Sequence, residues 1–305
     1  MKQYLIRRFY HSLLVLVGVS VIVFLMLHIS GDPTALLLPL DATPQDVAEL
    51  RERMGFNDPL YVQYARFFVR AVQGDFGQSF RNQQPAMELL MERLPATLEL
   101  AGAAMLLALV VALPVGIVSA VRRNTLLDHA GMVFALIGQS MPVYWLGILL
   151  IMVFAVELGW FPAAGRGTLG HLVLPAVTLA LFSMARVARF TRSAMLEVLG
   201  QDYIRTARAK GLPERRVVLV HAFKNAALPV ITIIGIDFAT LLGGAVITET
   251  IFGWPGVGRF TVEAIGIRDF PVVQASVFLL ALIFVLVNLA VDVLYTSLDP
   301  RIRYR

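Results

Sequence analysis

Acidic residues inside apolar stretches are the first candidates for chemistry in this sequence. Asp237 interrupts an otherwise uncharged run over 226–248, and Asp292 lies near the end of another apolar run. Two aspartates at one depth in a membrane, sharing a proton and a water, would form a hydrolytic pair. Asp292 lies only seven positions before Asp299, so its depth differs from that of Asp237. The Gly-x-Gly-Asp pattern of membrane aspartyl proteases is also absent, because Ile234-Gly235-Ile236 precedes Asp237. The sequence therefore argues against a protease.

Asp237 also belongs to a pattern along one helical face. Asp237, Gly244 and Thr248 are spaced i, i+7 and i+11, which places an acid, a small residue and a hydroxyl on the same side of a helix. Such a face predicts the lining of a solute path. A hydrogen-bonded Asp237 that ties helices together explains the pattern equally well. Asn288 and Asp292, four residues apart, predict a second tie between helices.

Several kinds of chemistry are missing from the sequence. No GxxxxGK[ST] phosphate loop occurs, so the chain by itself is not a P-loop ATPase, and ATP-driven work would have to reach it through a partner. There is no HExxH pair, and no metal site is predicted because the five histidines are scattered. The absence of cysteine excludes disulfides and thiolate chemistry.

Two short loops are rich in glycine. One is Gly74-Asp75-Phe76-Gly77, and the other contains Trp254, Pro255, Gly256 and Gly258. Glycine lets the backbone approach another chain or a solute closely. A purely structural turn is the alternative for both loops.

The segment 186–225, called here the 186–225 loop, is strongly basic. Its 40 residues carry nine basic and three acidic side chains, and a simple connector would be shorter. The stretch from Thr191 to Lys210 predicts a helix that Gly211 ends in a left-handed cap. Leu212-Pro213-Glu214 predicts a second short helix, with proline at its first position and an acid at its positive end. Two short helices at an angle would form a docking knob, and a solvated charged loop is the alternative.

These candidate residues must be positioned by membrane helices. The 305 residues are 58% hydrophobic and only 15% charged, with a mean hydropathy of +0.74, which is typical of an integral membrane protein. The net charge of +5 comes without a compact basic cluster interleaved with aromatics. Nucleic acid is therefore not an expected partner.

Long apolar runs predict six membrane-spanning helices. The first run is longer than the core of a secretory signal, which favours a retained helix over a cleaved signal peptide. Basic residues favour the cytoplasmic side of a membrane. If the amino terminus is cytoplasmic, most of the basic residues that do not belong to the 30–95 segment also lie in the cytoplasm. Six spans then place both termini in the cytoplasm. The predicted spans are 9–29, 100–121, 130–156, 168–185, 226–248 and 270–291.

Proline and the intervening polar segment refine this picture. Prolines inside the spans predict a packed bundle, and Gln139-Ser140-Met141-Pro142 predicts either a packed kink or a hinge. The 30–95 segment predicts a small helical cap outside the membrane, with helices near 46–54 and 60–72. Thr43 is the expected N-cap of the first of these, and Pro44 its first residue.

A series of motifs extends through the whole chain. The sequence carrying them resembles the inner-membrane permease subunits of bacterial ABC importers for dipeptides, oligopeptides and glutathione. The motifs are Gly31-Asp32-Pro33, Gln73-Gly74-Asp75-Phe76-Gly77, Ala188-Arg189-Phe190-Thr191-Arg192-Ser193, the run 202–211, His221-Ala222, Asn225-Ala226, Pro229, Trp254-Pro255-Gly256-Val257-Gly258-Arg259, Arg268-Asp269-Phe270-Pro271, Asp292-Val293-Leu294-Tyr295 and Asp299-Pro300.

The resemblance implies an all-α, six-helix permease domain over 1–305 in the bacterial inner membrane. Residues 30–95 would form a periplasmic helical segment, residues 96–298 the core bundle, and the 186–225 loop the element that couples to an ATPase. Implied partners are a second homologous permease, two cytoplasmic ABC ATPases, a periplasmic solute-binding protein and the lipid bilayer. The chain would bind no cofactor, and ATP and magnesium would be held by the ATPases.

The importer signature in the 186–225 loop is matched in part. Its general form is Glu-Ala-Ala, three residues, Gly, nine residues, then Ile-x-Leu-Pro. Ala207 and Gly211 keep their places, and the other positions follow the peptide-importer variant, with Arg205 and Thr206 in the Glu and first Ala positions. The ATPase-coupling residues implied by the resemblance are Arg205, Thr206, Ala207, Lys210, Gly211, Glu214, His221 and Asn225.

Two other functions fit parts of the pattern. A nickel-chelate importer permease has the same architecture. An ion-coupled secondary carrier would instead transport solute as a single chain, driven by an ion gradient without nucleotide.

Overall fold

The computed structural model describes residues 2–29, 43–53 and 55–298 of the chain. Within these ranges the regular structure is helical, and the only strand-like pairing is an isolated antiparallel bridge between Gln78 and Pro85. The helices are α1 (Lys2–Ile29), α2 (Pro44–Arg53), α3 (Leu60–Val72), α4 (Ala86–Val121), α5 (Leu126–Ser140), α6 (Val143–Leu150), α7 (Leu169–Leu199), α8 (Asp202–Ala209), α9 (Glu214–Arg216), α10 (Phe223–Ile251), α11 (Val257–Gly266) and α12 (Phe270–Leu298).

Five of these helices contain stretches long and apolar enough to cross a membrane. They lie in α1, α4, α7, the continuous α9–α10 helix and α12, and the bent pair formed by α5 with α6 and its π-helical extension supplies a sixth crossing if it counts as one span. The all-α membrane class predicted from the sequence is therefore confirmed. The second span is longer than predicted, because α4 begins at Ala86, inside the 30–95 segment. The cytoplasmic location of both termini stays a prediction.

The third span is bent at Gln139-Ser140-Met141-Pro142, where the sequence predicted either a packed kink or a hinge, and a hinge function stays a prediction. Helix α5 ends at Ser140, Met141 is extended with ψ 128°, and α6 starts after Pro142. The two halves meet at 102°. The physical reason is that proline lacks an N–H group and disfavours helical geometry in the residue before it. A π-helical segment, Ile151–Glu157, completes the second half.

The core of the bundle lies where α4 packs along α7. Alanines at four-residue spacing on α4, Ala104, Ala108 and Ala112, are fully buried. Small side chains let the two backbones approach closely, which is the usual basis of helix packing within membranes. The fourth and fifth spans, α7 and α10, are packed against each other as well.

The described part of the segment between the first two spans contains the helices α2 and α3, and a cap outside the membrane stays a prediction. Thr43 caps α2, since its Oγ1 accepts a bond from the Asp46 N–H at 3.3 Å, and its own N–H donates to the Asp46 carboxylate at 2.8 Å. The Thr43 hydroxyl also donates to the Asp46 carboxylate at 2.8 Å, and this bond, together with the one from the Thr43 N–H, lowers the pKa of Asp46. Helix α3 is tied to α1 by a 2.9 Å hydrogen bond between the hydroxyls of Tyr64 and Ser20.

Candidate functional site: the 186–225 loop and the buried polar groups of the bundle

The first half of the 186–225 loop differs from its prediction. The expected helix from Thr191 to Lys210 is broken, because α7 ends at Leu199 and α8 begins at Asp202. Gly200, a poor helix former, ends α7, and Gln201 is extended with ψ 150°. Asp202 then lies in the first turn of α8, where an acid is favoured. The break makes α8 a separate short helix that can take its own direction.

The end of α8 at Gly211 is confirmed. Gly211 has φ +72°, in the left-handed region, and its N–H donates to the Arg208 carbonyl at 2.9 Å. A Cβ at this position would meet no atom within 4 Å. The requirement for glycine is therefore conformational and does not come from crowding.

The second helix of the loop is not separate from the membrane span. Pro213 is the N-cap and not the first helical residue, and the short α9 leads through a π-helical segment, Val217–Ala222, directly into α10. The predicted knob thus consists of one separate short helix, α8, and an extension of the fifth span. The extension and the fifth span therefore form one uninterrupted helix.

Helix α8 is fastened to that extension by apolar packing and by polar bonds. Ile204 of α8 and Val217 of the extension are fully buried in the same hydrophobic cluster. Arg208 donates to the Glu214 carboxylate through Nε at 3.1 Å and Nη2 at 2.6 Å, and this bond raises the pKa of the arginine. Asn225 donates to the Tyr203 hydroxyl at 3.1 Å.

The predicted coupling residues are thus brought together at one end of the bundle. Ala207 is buried against the cluster, and His221 is half-buried with its carbonyl accepting from Asn225 at 2.9 Å. The remaining six are exposed: Arg205, Thr206, Lys210, Gly211, Glu214 and Asn225.

Sequence reasoning missed the apolar part of this surface. Tyr203, Leu219 and Val220 are large side chains, each about half exposed, that lie among the basic residues of the loop. An exposed apolar patch rimmed by charge is typical of a protein interaction surface. The four consecutive apolar residues at 217–220 could have indicated this surface, because a helix cannot turn all four toward the bundle.

A buried ion pair anchors the loop to the third span. Asp128, only 1% exposed, receives two bonds from Arg192, from Nε and Nη2, both at 2.7 Å. The N–H of Asn124 adds a third bond at 2.9 Å. Arg192 belongs to a motif singled out in the sequence, whereas Asp128 was missed. The spacing of Thr125 and Asp128 at the start of a helix was the available signal.

Two residues of the proposed solute-path face of α10 are buried in the bundle. Asp237 is 1% exposed and Thr248 is fully buried. The Ser183 hydroxyl donates to Asp237 Oδ2 at 3.0 Å, and Arg186 Nη1 lies 2.8 Å from Oδ1. Gly244 is part of the same helix. Asp237 is therefore a tie between α7 and α10, and a role of this face in solute passage stays a prediction.

A different face of α10 is open. Ile236, Thr240, Gly243 and Ile247 recur at helical spacing and are all exposed in the isolated chain. A stripe that includes a hydroxyl and a glycine is suited to contact with another helix or with a water-filled path.

The loop that begins at Trp254 encloses a carboxylate. Glu249, fully buried, accepts a bond from the Thr97 hydroxyl at 2.7 Å and one from the Arg259 N–H at 3.0 Å. A Cβ on Gly256 would overlap this carboxylate. The Trp254 indole donates to the Ala96 carbonyl at 2.8 Å. Of the predicted loop residues, Trp254, Gly256 and Gly258 are buried, and Pro255 is exposed.

A second buried acid joins the outer segment to the last span. Asp269 accepts bonds from the Ser79 hydroxyl at 2.5 Å and from the Phe80 N–H at 3.1 Å. These bonds give Asp269 of the motif Arg268-Asp269-Phe270-Pro271 a structural role. Near it, Gly77 donates its N–H to Asp75 Oδ1 at 2.9 Å, which closes the other glycine-rich turn.

Some predicted residues cannot be placed in this way. Gly31-Asp32-Pro33 and Asp299-Pro300 lie outside the described residues, and so does the side chain of Asp292. Asn288 donates to the Phe284 carbonyl at 2.8 Å within its own helix, so a tie from Asn288 to another helix stays a prediction.

Comparison with known proteins assigns the chain to a family. Residues 112–304 match the binding-protein-dependent transport system inner membrane component, and residues 1–101 match the N-terminal region of such membrane components. The chain belongs to the family of binding-protein-dependent transport system inner membrane components. The apolar spans agree with this assignment. The chain is therefore a multi-pass protein of the inner membrane.

Relatives match the chain over its full length. It is 43% identical to the dipeptide transport system permease protein DppB of Alkalihalophilus pseudofirmus, covering 100% of both chains. It is 42% identical to the glutathione transport system permease protein GsiC of Salmonella paratyphi A and 43% identical to that of Escherichia coli K12, again over 100% of both chains.

Solved structures share the fold. A chain of the inward-facing MetNI methionine ABC transporter matches with a TM-score of 0.57 and 21% identity, over 70% of this chain and 97% of the other. An amino acid ABC transporter matches with a TM-score of 0.51 and 18% identity, over 70% and 94%. At these identities the likeness concerns the fold alone.

Proposed function

We propose that the chain is the permease subunit of an ATP-driven importer that carries dipeptides, oligopeptides or glutathione across the inner membrane. The observation that carries the proposal is the full-length similarity to dipeptide and glutathione permeases. A second permease, two cytoplasmic ABC ATPases and an extracytoplasmic binding protein would complete the transporter. ATP and magnesium would be bound by the ATPases.

The 186–225 loop is the proposed point of coupling. Its exposed basic residues and the apolar side chains of Tyr203, Leu219 and Val220 form a surface suited to a groove on an ATPase. Movement of α8 would be passed to the fifth span through two links, the Arg208–Glu214 pair and the Asn225–Tyr203 bond. Because the 214–222 segment continues into α10, a push on the loop would tilt or shift the span.

The buried polar pairs make such a push effective. Asp128 with Arg192 holds the loop end of α7 to the third span, and Asp237 with Arg186 holds α7 to α10. Helices joined in this way move as a rigid group, so a local displacement would alter the whole bundle. Solute would pass between the two permeases. The open face of α10 is a candidate for the wall of this path.

The test is uptake by vesicles with defined components. Proteoliposomes that contain this chain, its sister permease and the two ATPases are loaded with ATP and given the binding protein with a labelled dipeptide or with labelled glutathione. Uptake of one of these solutes is expected only in the complete, ATP-loaded system. Uptake by the chain alone under an ion gradient would contradict the proposal and support a secondary carrier.

A further inference from the structure

A polar pocket with a volume of about 320 Å³ is used by none of the functions above. It lies at the end of the fifth span opposite the 186–225 loop, between α11, the first turns of α4 and the turn at 79–82. Its charged lining residues are three arginines, Arg81, Arg93 and Arg259, and two acids, Glu263 and Asp269. It is called here the arginine pocket.

Both acids of the arginine pocket are already paired. Asp269 is buried and accepts bonds from the Ser79 hydroxyl at 2.5 Å and from the Phe80 N–H at 3.1 Å. Glu263 accepts a bond from Arg259 Nε at 2.8 Å. The three arginines therefore leave a surplus of positive charge on the wall, which an incoming anion would neutralise.

Arg93 is fixed in position and keeps a free donor. Its guanidinium lies 3.9 Å from the ring centre of Phe260, and its Nη1 donates to the Leu89 carbonyl at 2.6 Å. The Glu92 carboxylate is 3.7 Å from the same Nη1, which is too far for a hydrogen bond. Nη2 of Arg93 has no partner in the described part of the chain and is accessible to solvent. An accessible donor on a fixed guanidinium is suited to an oxyanion.

Arg259 and Arg81 complete the set of donors. Arg259 Nη1 donates to the Gly253 carbonyl at 2.7 Å, and its Nη2 is accessible and bonds to none of the described residues. Arg81 is exposed in a turn that is closed by a 2.8 Å bond from the Ser79 N–H to the Gln84 carbonyl. Its guanidinium makes no bond with the residues that the structure describes. Three guanidinium groups thus offer free N–H donors around one pocket.

Buried residues form the floor of the arginine pocket. They are Ser79, Gly256, Ala264 and Asp269. The pocket is therefore a recess in the surface and not the mouth of a passage into the bundle. A recess of this kind suits a side chain that a partner inserts and withdraws better than a solute in transit.

We propose that the arginine pocket receives an acidic side chain of the extracytoplasmic binding protein. The free guanidinium donors of Arg93 and Arg259 bind its carboxylate through charge-assisted hydrogen bonds. Arg81, which is more exposed, attracts the acid as the two proteins approach. The proposal rests on the proposed function, because the binding protein belongs to that function.

The test measures the dissociation constant of the binding protein on the complete transporter in nanodiscs. Arg81→Glu is the main variant, and its midpoint of thermal unfolding should equal that of the wild type, because the guanidinium makes no bond within the described chain. The binding protein should bind this variant about ten-fold more weakly, since a favourable charge becomes repulsive. Added salt should also weaken its binding to the wild type more than to the variant.

Arg70→Glu is the matched control. Arg70 is an exposed arginine of α3, in the same outer segment as Arg81, and it does not line the arginine pocket. This variant should bind the binding protein like the wild type. An equal loss of affinity in Arg70→Glu and Arg81→Glu would reject the pocket in favour of a general effect of charge.

An exchange of charges identifies the occupant. Each exposed acid of the binding protein is replaced by lysine in turn. One such lysine should weaken binding to the wild-type transporter and restore at least five-fold of the affinity lost in Arg81→Glu. If no lysine variant does so, or if Arg81→Glu binds the binding protein like the wild type, the proposal is overturned. An altered KM for the peptide with unchanged affinity for the binding protein would indicate a solute site instead.

Failure of the proposed function has a different signature. A wild-type transporter that binds its binding protein but takes up neither dipeptide nor glutathione would contradict the proposed solute. The affinities of Arg81→Glu and Arg70→Glu would still decide on the pocket, because they are measured without transport.

Discussion

At the scale of single residues, the bundle is organised by buried acids that each have specific partners. Asp128 is paired with Arg192, Asp237 with Arg186 and Ser183, and Glu249 is held by Thr97 and the N–H of Arg259. A buried carboxylate is tolerated only with such partners. Removing a partner should therefore cost more than removing the whole pair.

The Asp128–Arg192 pair gives the first prediction. Arg192→Met leaves a buried carboxylate without its counter-ion, and a loss of about 3–5 kcal/mol in stability is expected. The double variant with Asp128→Leu should recover a large part of the loss. The midpoint of thermal unfolding in detergent measures both effects, with exposed Arg123→Met as the control. Equal midpoints for Arg192→Met and Arg123→Met would show that the pair contributes nothing.

The second prediction concerns Gly256. A Cβ at this position overlaps the enclosed carboxylate of Glu249, so Gly256→Ala should destabilise the chain by about 1–3 kcal/mol. Gly266 is the matched control, because it is helical and no atom lies within 4 Å of an added Cβ. Gly266→Ala should stay within about 0.5 kcal/mol of the wild type. Thermal unfolding of the two variants tests the prediction, which fails if they behave alike.

A substitution at Asp237 distinguishes a tie between helices from a contact with solute. Asp237→Leu leaves Arg186 and Ser183 without their partner, so thermal stability should fall, and Arg186→Met added to it should restore part of the loss. The exposed Thr240 on the other face of α10 is the control, and Thr240→Leu should unfold like the wild type. If Asp237→Leu kept its stability but changed which peptides are taken up, the tie between helices would be rejected in favour of a solute contact.

At the scale of elements, the 186–225 loop is the part whose geometry most concerns function. Helix α8 is followed by Gly211 in the left-handed conformation, and it is packed on a continuous extension of the fifth span. The direction of α8 is set by Gly211 at one end and by the break at Gly200 at the other. A change that redirects α8 should therefore disturb coupling without disturbing the membrane bundle.

Replacing Gly211 tests this idea. A β-branched residue at φ +72° is strained, with a cost of about 1–2 kcal/mol for the left-handed conformation alone. Gly211→Val in the complete transporter should lower uptake per ATP hydrolysed while leaving membrane insertion intact. Gly266→Val is the control, since Gly266 lies on α11 outside the loop, has no positive φ, and an added Cβ would meet no atom within 4 Å. Unchanged uptake per ATP in Gly211→Val would contradict the prediction.

The sequence predicted the membrane-spanning helices better than the breaks within and between helices. Uncharged runs identified the spans, because burial in lipid requires apolar side chains over the whole helix. The breaks at Gly200 and Met141 were missed or left open, since a lone glycine or proline bends some helices and not others. Pro175 and Pro229, for example, lie inside unbroken helices. Asp128 and Glu249 were missed because their partners are distant in sequence, and only the packed structure brings them together.

At the scale of the whole molecule, the chain is a helical membrane bundle without a phosphate-binding loop of its own. Its family consists of inner membrane components of binding-protein-dependent transport systems. The central claim is that the 186–225 loop faces the cytoplasm and is bound there by an ATPase. The claim combines the positive charge of the loop with the position of its exposed apolar residues.

The most direct test is the side of the membrane on which the loop lies. The chain has no cysteine, so Leu219→Cys introduces a single thiol at an exposed position of the loop, and Val262→Cys introduces one on α11 at the other end of the fifth span. A membrane-impermeant maleimide should label Cys at 219 only in inside-out vesicles, with protection when the ATPases are bound, and Cys at 262 only in spheroplasts. Labelling at position 219 in intact spheroplasts would contradict the account.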